Sequence, residues 1–183
     1  QPQVVSSGVV ITENGVTNLN FLSASQVLRS SSASEFTGVT KFSGFNVGSF
    51  NTLNVGNQYM SGVLIKTNRG FKLGTEASLD KMRFHYNPSS FNVMNGGTLI
   101  ANQQQLIAGL YDTNVGNAYI NGTSVGSASV TITANTPNYY FIGYSFTAIG
   151  GAKKMQEAIF YPSYENANRA DIEDNINSYY SIY

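Results

Sequence analysis

A chain of 183 residues fits one domain, and at that size folding removes about 70% of the unfolded surface from water. Hydrophobic residues make up 42%, enough for a core, while charged residues reach only 11%, far below the usual ~25%. Ten basic and ten acidic side chains cancel, so no nucleic-acid partner is expected, and the absence of cysteine excludes disulfides, thiolate metal sites and cysteine nucleophiles.

No stretch approaches the roughly 18 apolar residues of a membrane span, so no membrane insertion is expected. The N-terminus shows no charged region followed by an apolar one. The expectation is a leader already removed, or release by lysis as virion proteins are released. With little charge, the polar surface must come from Asn, Ser, Thr, Gln and Gly, joined by many tyrosines and no tryptophan. Such a surface suits contact with proteins or sugars outside a cell. An ordinary β-protein built from strand and turn formers would show the same composition.

Residues 1–14 read as an N-terminal arm or edge strand, closed by the Asn14-Gly15 turn. Val16–Leu22 follows as a strand with Leu19 and Phe21 on one face, then the short Val27–Arg29 and a serine-rich loop over Ser30–Ser34. Thr37–Val47 and Tyr59–Thr67 read as strands, and the apolar Val63-Leu64-Ile65 in the middle of Tyr59–Thr67 is expected to be buried. After Phe71–Leu73, Lys81–Tyr86 alternates clearly. Met82, Phe84 and Tyr86 share one face, and Lys81, Arg83 and His85 share the other. Phe91–Met94 is short, and Asn95-Gly96-Gly97 turns the chain.

The most informative stretch is Gln105–Ser127. Leu106–Tyr111 is an apolar run, Asp112-Thr113-Asn114 a turn, and Gly116–Ile120 a strand with Ala118 and Ile120 opposite Asn117 and Tyr119. Asn121-Gly122 is the pair best suited to positive φ at both centres of a type I′ hairpin, and Thr123–Ser127 begins the return strand. Val130–Ala134, Tyr139–Phe146 and Met155–Tyr161 complete the strands. From about Asn166 to Tyr180 the pattern becomes helical, with Ile172, Ile176, Tyr179 and Tyr180 on one side and Asn168 placed to cap the start. Many short strands, frequent turns and one late helix imply an antiparallel two-sheet sandwich over residues 15–183.

The meander LIAGLYDTNVGNAYINGTSVG resembles the core of the concanavalin A-like sandwiches, in the branch with laminin-G-like domains. Residues 15–32, NYYFIGYSF over 138–146, and the closing strand and helix over 155–183 are similar to that family's other segments. The tail is close to those of domains in phage virion and bacterial surface proteins. The resemblance implies an all-β, concanavalin A-like antiparallel two-sheet β-sandwich (jelly roll) with one C-terminal helix.

That family includes endo-glucanases, which set carboxylates about 5 Å apart along one strand for retaining hydrolysis. No strand here carries such a pair. Asp171, Glu173 and Asp174 sit on the predicted helix, and Glu157 stands alone in its strand. A serine-type triad needs a histidine base, and the single histidine, His85, lies on the polar face of its strand. The chain is therefore expected not to be an enzyme.

Related sandwiches hold Ca²⁺ at the loop rim, which makes Asp112 and Asn114 a weak calcium candidate; the same residues also suit an ordinary Asx turn. For glycan binding, Tyr111, Asp112, Asn114, Asn117 and Tyr119 supply rings and hydroxyl-reading groups within one meander, and Arg83 and His85 could extend the patch. The expected function is a non-catalytic extracellular or virion-surface module for adhesion or carbohydrate binding, its partner a glycan or cell-surface polysaccharide. The first alternative is a structural virion, fibre or surface-layer subunit, homo-oligomeric or packed against neighbouring virion or surface proteins. The second is a glucanase-like glycoside hydrolase.

Overall fold

The computed structural model describes residues 3–23, 26–66, 69–76, 80–85, 93–129, 136, 138–143 and 153–183. In chain order the elements are β1 (Val5–Ser6), β2 (Val9–Val10), β3 (Thr12–Glu13), β4 (Val16–Thr17), β5 (Leu19–Phe21) and β6 (Leu28–Arg29). A 3-10 turn over Ser34–Phe36 leads into β7 (Phe42–Phe50), β8 (Gln58–Lys66), β9 (Arg69–Thr75), β10 (Met82–His85) and β11 (Val93–Gly96). Then come β12 (Gln105–Asp112), β13 (Val115–Ile120), β14 (Thr123–Ser129), β15 (Tyr139–Ile142), β16 (Lys153–Tyr161) and the helix α1 (Arg169–Tyr180). The expected strand Val130–Ala134 lies outside the described residues, as do Tyr86, Phe91 and Tyr144–Phe146.

Two antiparallel six-stranded sheets carry the fold. The first has the order β11-β10-β9-β8-β15-β6, the second β14-β13-β12-β7-β16-β5. Strand β7 starts five residues later than the sequence suggests. Gly38, at φ +75°, follows the 3-10 turn that buries Phe36, so the strand can begin only beyond it. The N-terminal residues fold into two small ribbons, β1–β2 and β3–β4, and Gln3 bridges to Asn20 beside the edge strand β5. The Asn14-Gly15 turn joins β3 to β4 with φ of +47° and +77°.

Two layers of packing follow from the strand alternation. Between the sheets lie Phe42, Phe50, Phe71, Leu73, Met82, Phe84, Ile107 and Tyr111. Phe42 stacks on Phe71 with ring centres 4.3 Å apart. Gly109 leaves room for the neighbouring side chains of the facing sheet, because a Cβ there would lie 2.7 Å from Leu73 and 2.8 Å from Phe84. On the outer face of the second sheet, Phe45, Val47, Leu106, Ala108 and Leu110 pack against Ile176 and Tyr180 of α1. Strands β7 and β12 are thus covered on both faces; in β12 this gives the apolar run Leu106–Tyr111, while β7 fills its buried positions with Ser, Gly and Asn between its apolar side chains.

The helix does not start with the expected cap. Asn168 stands at the N-cap position, but its side-chain amide donates instead to Glu165 Oε2 at 2.8 Å. Asp171 remains in the first turn, where the helix dipole favours a negative charge.

Candidate functional site

The turn between β12 and β13 consists of Thr113 and Asn114, with Asp112 paired to Val115 in register. Asp112 Oδ1 accepts the Thr113 backbone N–H at 2.8 Å and the Thr113 hydroxyl at 3.0 Å, which tightens the turn. The Lys41 ammonium lies 3.1 Å from the same oxygen. That hydrogen-bonded ammonium, helped by Thr113, holds the Asp112 carboxyl below the ordinary carboxylate range.

Tyr164 is the ring that faces this turn, and the segment after β16 is built to hold it. Ser43, fully buried in β7, donates its hydroxyl to the Ser163 carbonyl at 2.9 Å and accepts the Glu165 N–H at 2.8 Å. These two bonds bracket Tyr164. Its hydroxyl in turn accepts the Asn117 side-chain amide at 3.1 Å, and burial raises its pKa. Lys41, Asp112, Thr113, Asn114, Val115 and Tyr164 together line an open groove of about 600 Å³ at the rim of the second sheet. A half-buried ring, an ammonium, a carboxylate and an amide can stack on one face of a small polar ligand and read its hydroxyls.

The structure brings Asp112 and Asn114 of the predicted residues to this groove, sets Asn117 behind it on the Tyr164 hydroxyl, and places the others elsewhere. Tyr111 is a correction. It points between the sheets, fully buried, and its hydroxyl donates to the Thr113 carbonyl at 2.8 Å. An apolar run with no alternation gave no sign of which face it would take. Tyr119 lies on the outer face, but the Arg169 guanidinium sits 4.1 Å over its ring and takes the surface a sugar would need.

Arg83 and His85 do not extend the rim. They alternate with Met82 and Phe84, so they occupy the outer face of the first sheet, across the sandwich from Asn117. His85 is a further correction, since it is 1% exposed rather than solvated. Arg83 is engaged by Glu76 at 2.8 Å and Asn57 at 2.5 Å. Opposite His85 in register lies Lys72, also buried, with its ammonium 4.7 Å over the Tyr59 ring. Burial, and then the nearby Arg83 charge, lower the Lys72 pKa to about 7.

The Asp112–Asn114 turn does not fit calcium. The ion takes six to eight oxygen ligands, usually with several carboxylates. Here a single carboxylate is already held by an ammonium, and among the described residues no three His, Cys, Asp or Glu side chains converge. Lys41 and Tyr164 were not legible as site residues, because they join the turn only through the pairing of β7 with β12 and β16. Among the described residues, no helix is long and apolar enough to cross a membrane.

Comparison with known proteins agrees with this architecture. No curated protein matches the chain in sequence. Among solved structures, the binding domain of Paraclostridial Mosquitocidal Protein 1 superposes with a TM-score of 0.71 at 14% identity, over 97% of this chain and 46% of that one. A structure of botulinum neurotoxin type C, whose cell entry depends on interaction with two ganglioside molecules, gives 0.68 at 14% identity, over 88% and 42%. Trypanosoma rangeli sialidase in complex with sialic acid gives 0.65 at 13% identity, over 84% and 27%. The chain spans less than half the length of each, and at these identities the likeness is one of fold. Residues 29–156 match the family model of the concanavalin A-like lectin/glucanases superfamily with a laminin-G-like profile, and the chain belongs to that superfamily.

Proposed function

We propose that this chain is a non-catalytic carbohydrate-binding module, displayed outside the cell or on a virion, that takes a glycan in the rim groove. The observation that carries the reading is the groove itself, in which Tyr164 is fixed by Asn117 opposite the Asp112–Lys41 pair. Aromatic stacking with convergent hydrogen-bonding groups is what sugar recognition needs. The ganglioside dependence of the neurotoxin and the sialic acid held by the sialidase lend the reading support by analogy of fold. The non-catalytic part rests on the strands, since none of those described carries two carboxylates, which a glucanase site would need.

A glycan array followed by titration of the best ligand tests the proposal. Tyr164→Ala should abolish binding in a protein that still folds, as read by its circular dichroism, even though the lost packing lowers its melting temperature. A protein that ignores every glycan, or a Tyr164→Ala variant that binds like wild type, would sink it.

One observation favours a structural role as the second reading. Val4, Val9, Val10 and Leu22 are 40%, 68%, 48% and 50% exposed on the N-terminal ribbons and the end of β5. An apolar patch beside a sheet edge suits packing against another copy or a neighbouring surface protein. Light scattering separates the readings. A defined oligomer that loses its mass on Val9→Asp would favour assembly.

A further inference from the structure

A second groove lies on the opposite flank of the helix, between α1 and β16. Two cavities of about 530 and 370 Å³ meet at Asn175 and Ile176. Ile176 lines both, and Ile159 and Ile172 make the smaller one apolar. At one lip stands Tyr179, 68% exposed. Its ring is held edge-on against Tyr180, with centres 4.8 Å apart at 78°. The Tyr180 hydroxyl is hydrogen-bonded to the Glu157 carboxylate, which ties β16 to the helix beneath the exposed ring.

An exposed tyrosine in the middle of a helical turn loses little by leaving its ring in water, so its position alone means nothing. The arrangement around it is more specific. The ring is oriented by its neighbour, and Glu157, Asn175 and Ser178 line the same cavity within reach of a ligand lying on it. These groups accept from or donate to hydroxyls. Among the described residues no lysine or arginine lines either cavity, and Glu157 and Asp171 make the groove negative. An anionic ligand would be repelled, and a ligand of many hydroxyls with one apolar face would be accommodated.

We infer that the groove between α1 and β16 is a second saccharide site, selective for neutral sugars, with Tyr179 as its stacking ring. It differs in charge from the rim groove, where the Lys41 ammonium balances Asp112. The inference rests on the reading of the chain as a carbohydrate binder, but not on the rim.

The test is an array of neutral oligosaccharides and their sialylated counterparts, with titration of the best neutral ligand. The Tyr164→Ala protein, in which the rim is disabled, should bind neutral sugars in preference to sialylated ones. Tyr179→Ala should weaken that binding about tenfold or more, Tyr179→Phe should retain it, and Tyr164→Ala should leave it unchanged. Asn175→Arg, at an exposed helical position where the two cavities meet, should block it without touching the ring. No binding of any sugar would overturn both this site and the rim. Neutral-sugar binding that depends on Tyr164 and ignores Tyr179 and Asn175 would overturn this site alone. Equal affinity of the Tyr164→Ala protein for sialylated forms would also overturn it, as would a dimer by light scattering that Asn175→Arg dissociates.

Discussion

Strand β13 has a two-residue turn at each end, and the two differ in what covers them. At its start, Thr113 and Asn114 are exposed and face the rim groove. At its end, Asn121 and Gly122 take φ of +48° and +74°, as the type I′ turn requires. There the chain closes over the turn. Asn121 exchanges two bonds with Leu106, donating its N–H at 2.8 Å and accepting on Oδ1 at 2.9 Å. Arg169 of α1 donates to the Gly122 carbonyl at 3.4 Å and pairs with buried Glu173 on the next helical turn. Two turns of equal length on one strand thus give a structural joint in one place and an accessible surface in the other. The helix makes the difference, because it lies over one end of β13 and leaves the other open.

Removing Arg169 is the sharpest way to break the closed end. Arg169→Met should cost up to about 3 kcal/mol, the low end for stranding a buried charge, since Arg169 keeps part of its surface in water. Denaturant unfolding measures it, and a loss under about 1 kcal/mol would mean that the helix does not depend on this contact.

Gly122→Val comes next. A β-branched residue at φ +74° costs of order 1–3 kcal/mol, and its Cβ would lie 3.2 Å from the Tyr183 hydroxyl. The matching change at the open turn, Thr113→Val, should stay within about 0.5 kcal/mol, as exposed substitutions do. Equal losses at the two turns would erase the distinction between them.

The closed end should also respond to pH. Burial raises the Glu173 pKa from 4.5 to about 7, against the lowering effect of Arg169. A carboxyl whose pKa is higher folded than unfolded binds more protons in the native state, so its contribution to stability falls as pH rises from about 4.5 to about 7 and is level above. Glu173→Gln should flatten that part of the profile in thermal melts from pH 4 to 8. An unchanged slope would rule out Glu173 as its source. Above neutrality Lys72 acts in the opposite sense. Its pKa is lowered from 10.5 to about 7, so stability rises across that window, and comparison of Glu173→Gln with Lys72→Met separates the effects.

A small stability effect is also expected at the other side of the open end. Lys41→Ala removes an exposed ion pair and should change stability by no more than about 1 kcal/mol. Its effect should appear in glycan affinity instead, read by titration. A large loss of stability with intact binding would make the rim pair structural.

Much of this was legible in local sequence because it depends on neighbours along the chain. The alternation in Lys81–Tyr86 foretold that Met82 and Phe84 face the core, and both are fully buried. Asn121-Gly122 announced its turn, and the late periodicity announced the helix to within a few residues. Residues 29–156 carry enough of this pattern to match the superfamily. Site assignments were less legible. Alternation separates two faces but does not say whether the second is wet, and His85, on the polar face of its strand, is buried. In Leu106–Tyr111 the alternation itself is missing, so Tyr111 could not be assigned a side.

By itself, then, the sequence determined the strand succession, the inner face of the alternating strands, the hairpin at Asn121-Gly122, the terminal helix and hence the sandwich. These follow from backbone preferences and from periods of two and 3.6 residues. Only the tertiary structure decided which surfaces stay open. The seating of α1 on Phe45, Val47 and Leu106 encloses Tyr119 and Gly122 yet leaves Asn114 free. The order β12-β7-β16 carries Lys41 and Tyr164 to the Asp112 turn from positions far away in the chain. A groove is assembled from residues that meet through sheet pairing, and no local preference encodes which ones those will be.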